Sequence, residues 1–280
     1  MKKQVFVAAL VILSITALIS MFVMAQPGKD MVLATNNKAG NTVLIPPNAV
    51  EVAPDVFSLG TSTDVDGRTV EGFMIIDRKK EGHKPNHNPP SGGGSGSTSC
   101  FAFLAKGAKW KTLEPWIVNP NNTESLSDSF VLNDLTADIQ KWEDASSTNI
   151  LGTGTINTSV LVADESSPDD VNEVYFGDVD SVGAIAVTIV WGVFSGPPSQ
   201  RRLVEWDQIY DQVDFDWSAT GEANKMDFEN IATHEIGHSV GMGHPPDECT
   251  EETMYRFASE GETKKRDLNA GDIAGINDLY

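Results

Sequence analysis

The chain has 280 residues, 40% of them apolar, and its 40 acidic against 20 basic side chains give a formal net charge of -20. That length and apolar content suit one packed domain plus a smaller segment. So acidic a surface is repelled by nucleic acid and by anionic membranes, which excludes both as expected partners; otherwise it fits a solvated exported protein and offers calcium ligands without locating them.

In chain order, Lys2 and Lys3 precede an apolar run from Val5 to Met24, with Val23 and Ala25 placed for signal peptidase. Residues 1–25 are therefore expected to direct export, as a cleaved signal peptide or, since the run is long enough to span a bilayer, as an uncleaved anchor. Either way the bulk lies outside, secreted or at the cell surface, because the leading lysines stay inside. Contact with the membrane is expected only through such an anchor.

Residues 26–82 form an N-terminal segment in which "VFSLG" and "TVEGFMII" are expected to make a hairpin turning at Asp66 and Gly67. Residues 83–99, rich in proline and then in glycine and serine, read as a linker or processing region, with His83 and His87 as solvated histidines. From Cys100 to Tyr280 the order is that of a compact α+β domain. "LEPWIVNP" is expected as a strand, and "SLSDSFVLNDLTADIQKWEDA" as a helix with Val131, Leu135, Ile139 and Trp142 on one stripe. The strands "INTSVLVA", "NEVYFG", "GAIAVTIVWG" and "RLVEWDQIYD" follow. In "EWDQIYDQVDFDWS", Asp207, Asp211, Asp214 and Asp216 are either calcium ligands or alternating acids on a solvated face. Asn121 and Asn157 match the glycosylation sequon.

The next helix carries the chemistry. Asp227 is a good N-cap, Met226 and Ile231 can staple across it, and Phe228, Ile231, Ile236 and Val240 can pack inward. In "HEIGHSVGMGH", His234 and His238 stand four apart, so one helix face carries both, and Gly241 breaks the helix so that His244 can swing back. Three neutral imidazoles make a tripod for one catalytic zinc with a fourth position open. Glu235 beside the first ligand is placed to accept a proton from water, which makes it the candidate general base.

The pattern H-E-x-x-H-x-x-G-x-x-H, followed by Met254 in "ETMY", resembles that of the metzincin zinc peptidases. Among them "LNAGDIAGINDLY" resembles the closing helix of the matrixins. The resemblance covers residues 100–280 and implies a zincin-like catalytic domain: a twisted five-stranded mixed sheet, the zinc helix beneath it, and a small C-terminal subdomain after Gly241. It makes Met254 the Met-turn residue and places Tyr255 near the substrate pocket. It also implies that a protein or peptide substrate adds as an extended strand to a sheet edge around Ala184 to Val187. Two departures stand out: there is no histidine between His87 and His234 for a second zinc, and the closing helix has Gly271 and Asp272 where the family has two aspartates.

Only Cys100 and Cys249 are present, so an exported chain has two options: a disulfide bracing the zinc site, or a cysteine switch in which a prosegment thiolate caps the metal. The expected function is an exported, monomeric zinc endopeptidase. A surface binding protein that keeps the fold without turnover, and a zinc hydrolase of a non-peptide substrate, are the alternatives. Residues 26–99 are a removable prosegment or a permanent module.

Overall fold

A computed structural model describes residues 41–80 and 99–280; the expected export segment, and His83 and His87 with nearly all of the expected linker, lie outside the described residues. The N-terminal segment forms β1 (Thr42–Val43), β2 (Val50–Ala53), β3 (Val56–Thr63) and β4 (Thr69–Lys79). The β3–β4 hairpin closes where Gly67 takes a positive φ of 79° and Asp64 accepts the Arg68 N–H at 2.7 Å.

After β5 (Ala102–Phe103) and β6 (Trp116–Asn119) comes α1 (Asp128–Ser146), capped by Ser127, which accepts the Phe130 N–H at 3.2 Å. Its Val131, Leu135, Ile139 and Trp142 are all buried, the stripe expected from their spacing. Next come β7 (Gly154–Ile156), β8 (Asn172–Val179), β9 (Ala184–Val193) and β10 (Arg202–Asp211). The short β11 (Trp217–Ser218) and β12 (Met226–Asp227) lead into α2 (Phe228–Ser239), and β13 (Met242–Gly243), β14 (Phe257–Ala258) and α3 (Ala270–Leu279) complete the chain.

The expected strand "INTSVLVA" is corrected: β7 ends at Ile156 and the rest runs without a strand partner. Leu161 and Ala163 do point inward, but the Val162 and Ala163 N–H groups donate to the Glu173 carboxylate and the Tyr175 hydroxyl instead of to a ladder. Alternation there reports burial on the sheet's outer face, with side chains substituting for a neighbouring backbone.

The main sheet runs β2-β3-β4-β9-β10-β8-β6-β7. The five strands β7, β6, β8, β10 and β9 are the expected mixed sheet, with β9 antiparallel to β10 and the others parallel. The N-terminal segment then continues it. β4 pairs antiparallel with β9 from Glu71↔Gly192 to Arg78↔Ala184, so β9 is an inner strand, and the free edge expected at Ala184 to Val187 is filled by the chain itself. On one face of the sheet, β9 and β10 pack with α1, α2 and α3 around Trp142, Trp206, Ile231 and Met254; the other face carries a second core including Met74, Ile76, Val187 and Trp191. Among the described residues no helix is long and apolar enough to cross a membrane.

Candidate metal centre

The zinc-helix candidate α2 starts as its sequence dictates, with Asp227 accepting the Asn230 N–H at 3.1 Å. It is buried almost all round, packed between the sheet and α1, and one fixed anchor is the Trp142 indole donating to Thr233 O at 2.9 Å. Gly237 leaves the helix surface bare where Met254 lies: a Cβ there would stand 2.2 Å from the Met254 Sδ. At the helix end Gly241 takes φ 103°, a left-handed conformation that non-glycine residues rarely adopt, and turns the chain so that His244 returns to α2.

The three imidazoles meet there. Their Nε2 atoms are separated by 3.2 Å (His234 to His238), 3.1 Å (His238 to His244) and 3.3 Å (His234 to His244). The His234 Nδ1–H donates to Thr253 O at 2.6 Å and the His238 Nδ1–H to Met242 O at 3.0 Å. A carbonyl only accepts, so both protons sit on Nδ1 and both Nε2 atoms present lone pairs. The Lys265 Nζ, 3.5 Å from His234 Nδ1, is therefore a neighbour and not its hydrogen-bond donor, since the Thr253 carbonyl already claims that nitrogen's proton. Burial holds all three rings in the neutral form: it lowers His238 to about 4, and with the charge of Lys265 or of the other rings takes His234 and His244 well below their usual range.

Converging lone pairs repel unless a cation sits among them. Bonds of 2.0–2.1 Å at tetrahedral angles put ligand nitrogens about 3.3 Å apart, so this donor set fits zinc. The surroundings of the rings fit as well, because the Thr253 and Met242 carbonyls orient two of them.

Glu235 lies beside the triad with no exposure. Its Oε2 accepts the Thr188 Oγ1–H at 2.5 Å, while its Oε1 has no hydrogen-bond partner. Burial, then the charge of Asp77, raises its pKa well above the usual carboxylate range. Met254 is fully buried in the turn under α2, and Asp272 of α3 accepts the N–H groups of Thr253 (2.7 Å) and Met254 (3.1 Å), so Asp272 braces that turn.

Thr188, Asp77 and Lys265 are the site residues that reading the sequence alone missed. One signal was available for Asp77: the alternation of "GFMIID" puts it on the same face as Phe73 and Ile75, a charge where the pattern demands an apolar residue. It is fully buried, and burial raises its pKa to about 7 with Lys265 opposing.

Cys100 and Cys249 form a disulfide with Cα atoms 5.5 Å apart, so Cys100 is not a metal-capping thiolate and the cysteine-switch alternative is set aside. The four acids considered for calcium are not gathered: Asp211 accepts the N–H groups of Val213 and Asp214 and so caps a turn, whereas Asp207 groups with Asp164 and Glu205, one oxygen of each lying within 4.8 Å.

The chain is similar in sequence to known proteins. The family model described as Matrixin matches residues 194–280. The Arabidopsis thaliana metalloendoproteinase 1-MMP is 43% identical over 68 residues, 24% of this chain and 18% of that protein. Metalloendoproteinase 2-MMP of the same plant is 26% identical over 255 residues, covering 83% of this chain and 62% of that protein. Human matrilysin is 40% identical over 60 residues, 21% of this chain and 22% of that protein.

Over residues 194–280 the chain resembles the matrixins. It spans less than two thirds of the length of each of these relatives. As a matrixin-like chain it has the mixed sheet and zinc-type helix of the expected fold, and the family implies zinc at its His triad. Its N-terminal strands, paired to the sheet edge beside that triad, go beyond that expectation.

Proposed function

We propose that the chain is an exported zinc endopeptidase, with His234, His238 and His244 as metal ligands, Glu235 as general base and Met254 as the Met-turn residue. One observation carries the reading: three imidazole Nε2 atoms converge within 3.1–3.3 Å, two of them with their lone pairs fixed by the Nδ1 partners, beside a buried carboxylate that has one oxygen unpartnered.

Zinc held by the three rings supplies Lewis acidity, polarising a peptide carbonyl and easing deprotonation of water. The protein does the rest. Oε1 of Glu235 takes the proton of the attacking water and returns it to the departing amine, while Thr188 holds Oε2 and fixes the carboxylate's rotation. Burial favours the protonated carboxyl that this second half needs. The Thr253 and Met242 carbonyls keep two rings in the right tautomer, and the fully buried Met254 gives α2 a rigid floor. The substrate lies extended along β9 near Ala184 to Val187, once β4 has left.

The test uses the full chain with a site for a sequence-specific protease introduced between residues 83 and 98, so that the N-terminal segment can be freed. After nicking, casein should be cleaved, cleavage should stop with a zinc chelator, and zinc should restore it. Glu235→Ala should lower the rate at least a thousandfold with one zinc still bound. Undiminished cleavage by that variant would sink the assigned base. Chelator-resistant cleavage would sink the zinc mechanism.

A further inference from the structure

The last residues of β4 are held the way a bound peptide is held. On one side they run antiparallel to β9, with Ile76↔Val187, Asp77↔Ala186 and Arg78↔Ala184; on the other they run parallel to β14, with Phe257↔Arg78 and Ala258↔Lys79. The N–H of Lys79 donates to Gly183 O at 2.9 Å, while those of Arg78 and Lys80 donate to Arg256 O at 3.2 Å and Ala258 O at 2.9 Å on the opposite wall. Strand addition of this kind binds backbone without regard to sequence, and selectivity then comes from the pockets that take alternate side chains. The pocket at Asp77 is unlike the rest.

On the face of β4 that carries Phe73 and Ile75 into the α2 core, Asp77 comes next, fully buried, with an oxygen within 4.8 Å of ligand atoms of both Glu235 and His234. Neither of its carboxylate oxygens has a hydrogen-bond partner. Facing it is Lys265, fully buried in the turn after β14, its Nζ 3.8 Å from Asp77 Oδ1 and 2.5 Å from Tyr255 O. Glu235 and Glu262 also act on the Asp77 carboxylate and repel it, so Lys265 is the charge that offsets them. A buried ammonium without a counter-ion is costly, and here the carboxylate within ion-pair distance is lent by the segment that runs along β9.

We propose that Lys265 is a specificity-determining residue, the cationic floor of a substrate subsite that selects peptides with an acidic side chain next to the metal centre, and that Asp77 is its resident occupant. This rests on the peptidase reading above. Lys79 shows the wall continuing in the same manner, its Nζ 2.8 Å from Glu260 Oε1, so the next position but one favours a basic residue.

Two measurements decide it. Nicked full chain is given a mixture of peptides derived from a whole proteome, and the new ends are read by mass spectrometry. Aspartate and glutamate should be enriched at least tenfold at one position beside the cut, Lys265→Met should erase that enrichment, and Lys265→Glu should turn it towards lysine and arginine. Hydrolysis with the same profile in all three forms overturns the subsite and leaves the peptidase intact. The second readout needs no hydrolysis: amide hydrogen exchange in the intact chain at residues 76–80 and 183–187. Asp77→Asn, which replaces a single oxygen and so guards against loss of folding, and Lys265→Met should each speed exchange about tenfold, with the double variant no faster than either alone. Independent, multiplying effects, or none, overturn the pairing. Should no peptide be cut at all, the peptidase reading falls and the exchange data alone decide the subsite.

Discussion

Thr188 shows how much of the behaviour of Glu235, the proposed base, is set by a neighbour 47 positions away. Its hydroxyl donates to Glu235 Oε2 and so favours the charged carboxylate, working against burial and against Asp77, which both raise the pKa. Removing the donor pushes that pKa further up. Thr188→Val should therefore lower kcat/KM of the nicked chain about tenfold and move the acidic limb of its pH profile to higher pH, whereas Thr188→Ser keeps the wild-type limb. A uniform loss with an unmoved limb would assign Thr188 to packing only. The four motif residues were readable in "HEIGHSVGMGH" because helix geometry and one glycine turn fix their separations within eleven positions. No such local rule ties Thr188, Asp77 or Lys265 to Glu235.

At the scale of elements, the site is clamped from both sides of α2. Asp272 of α3 fastens the Met254 turn, and the Cys100–Cys249 bond ties the chain just before β5 to the loop between His244 and Met254, across a separation of 149 residues. Closing so long a loop restricts the unfolded chain, so Cys100→Ser with Cys249→Ser should lower unfolding free energy by about 4 kcal/mol, read from urea titration with the slope fitted for each form. The same elements show where sequence patterns fell short. The alternating apolar residues after Ile156 looked like a strand, yet the N–H groups there are met by the Glu173 and Tyr175 side chains. Conversely, the hairpin of β3 and β4 was visible in its turn residues, but its partner was not: pairing to β9 joins Asp77 to Ala186 across a separation of 109 positions, about which periodicity says nothing.

Across the whole molecule the excess of acid is partly internal. Burial, then Asp207 and Asp164, pushes Glu205 up to about 10; burial and Asp138 push Asp134 up to about 8; burial pushes Glu173 up to about 7. Each of these is raised above its unfolded value, so the folded state holds protons that the unfolded state releases. Their contribution is complete below about pH 4 and is lost as pH rises through 7 to 10. Above pH 6.5 the imidazoles are neutral in both states and do not compensate. The melting temperature of the chelator-treated chain should thus fall by several degrees between pH 6.5 and pH 9 by calorimetry; a flat or rising curve would contradict these protonation states.

The sequence by itself determined the histidine triad, the glutamate beside it, the helix that carries them and the order of elements around it, because capping, helical period and a left-handed glycine act over a few residues. Only the tertiary structure decided that β9 is no free edge, that Asp77 lies against Lys265, and that Thr188 holds the Glu235 carboxylate. Those facts depend on which backbones pair and which charges are buried together, and strand pairing between distant segments leaves no mark in either segment alone.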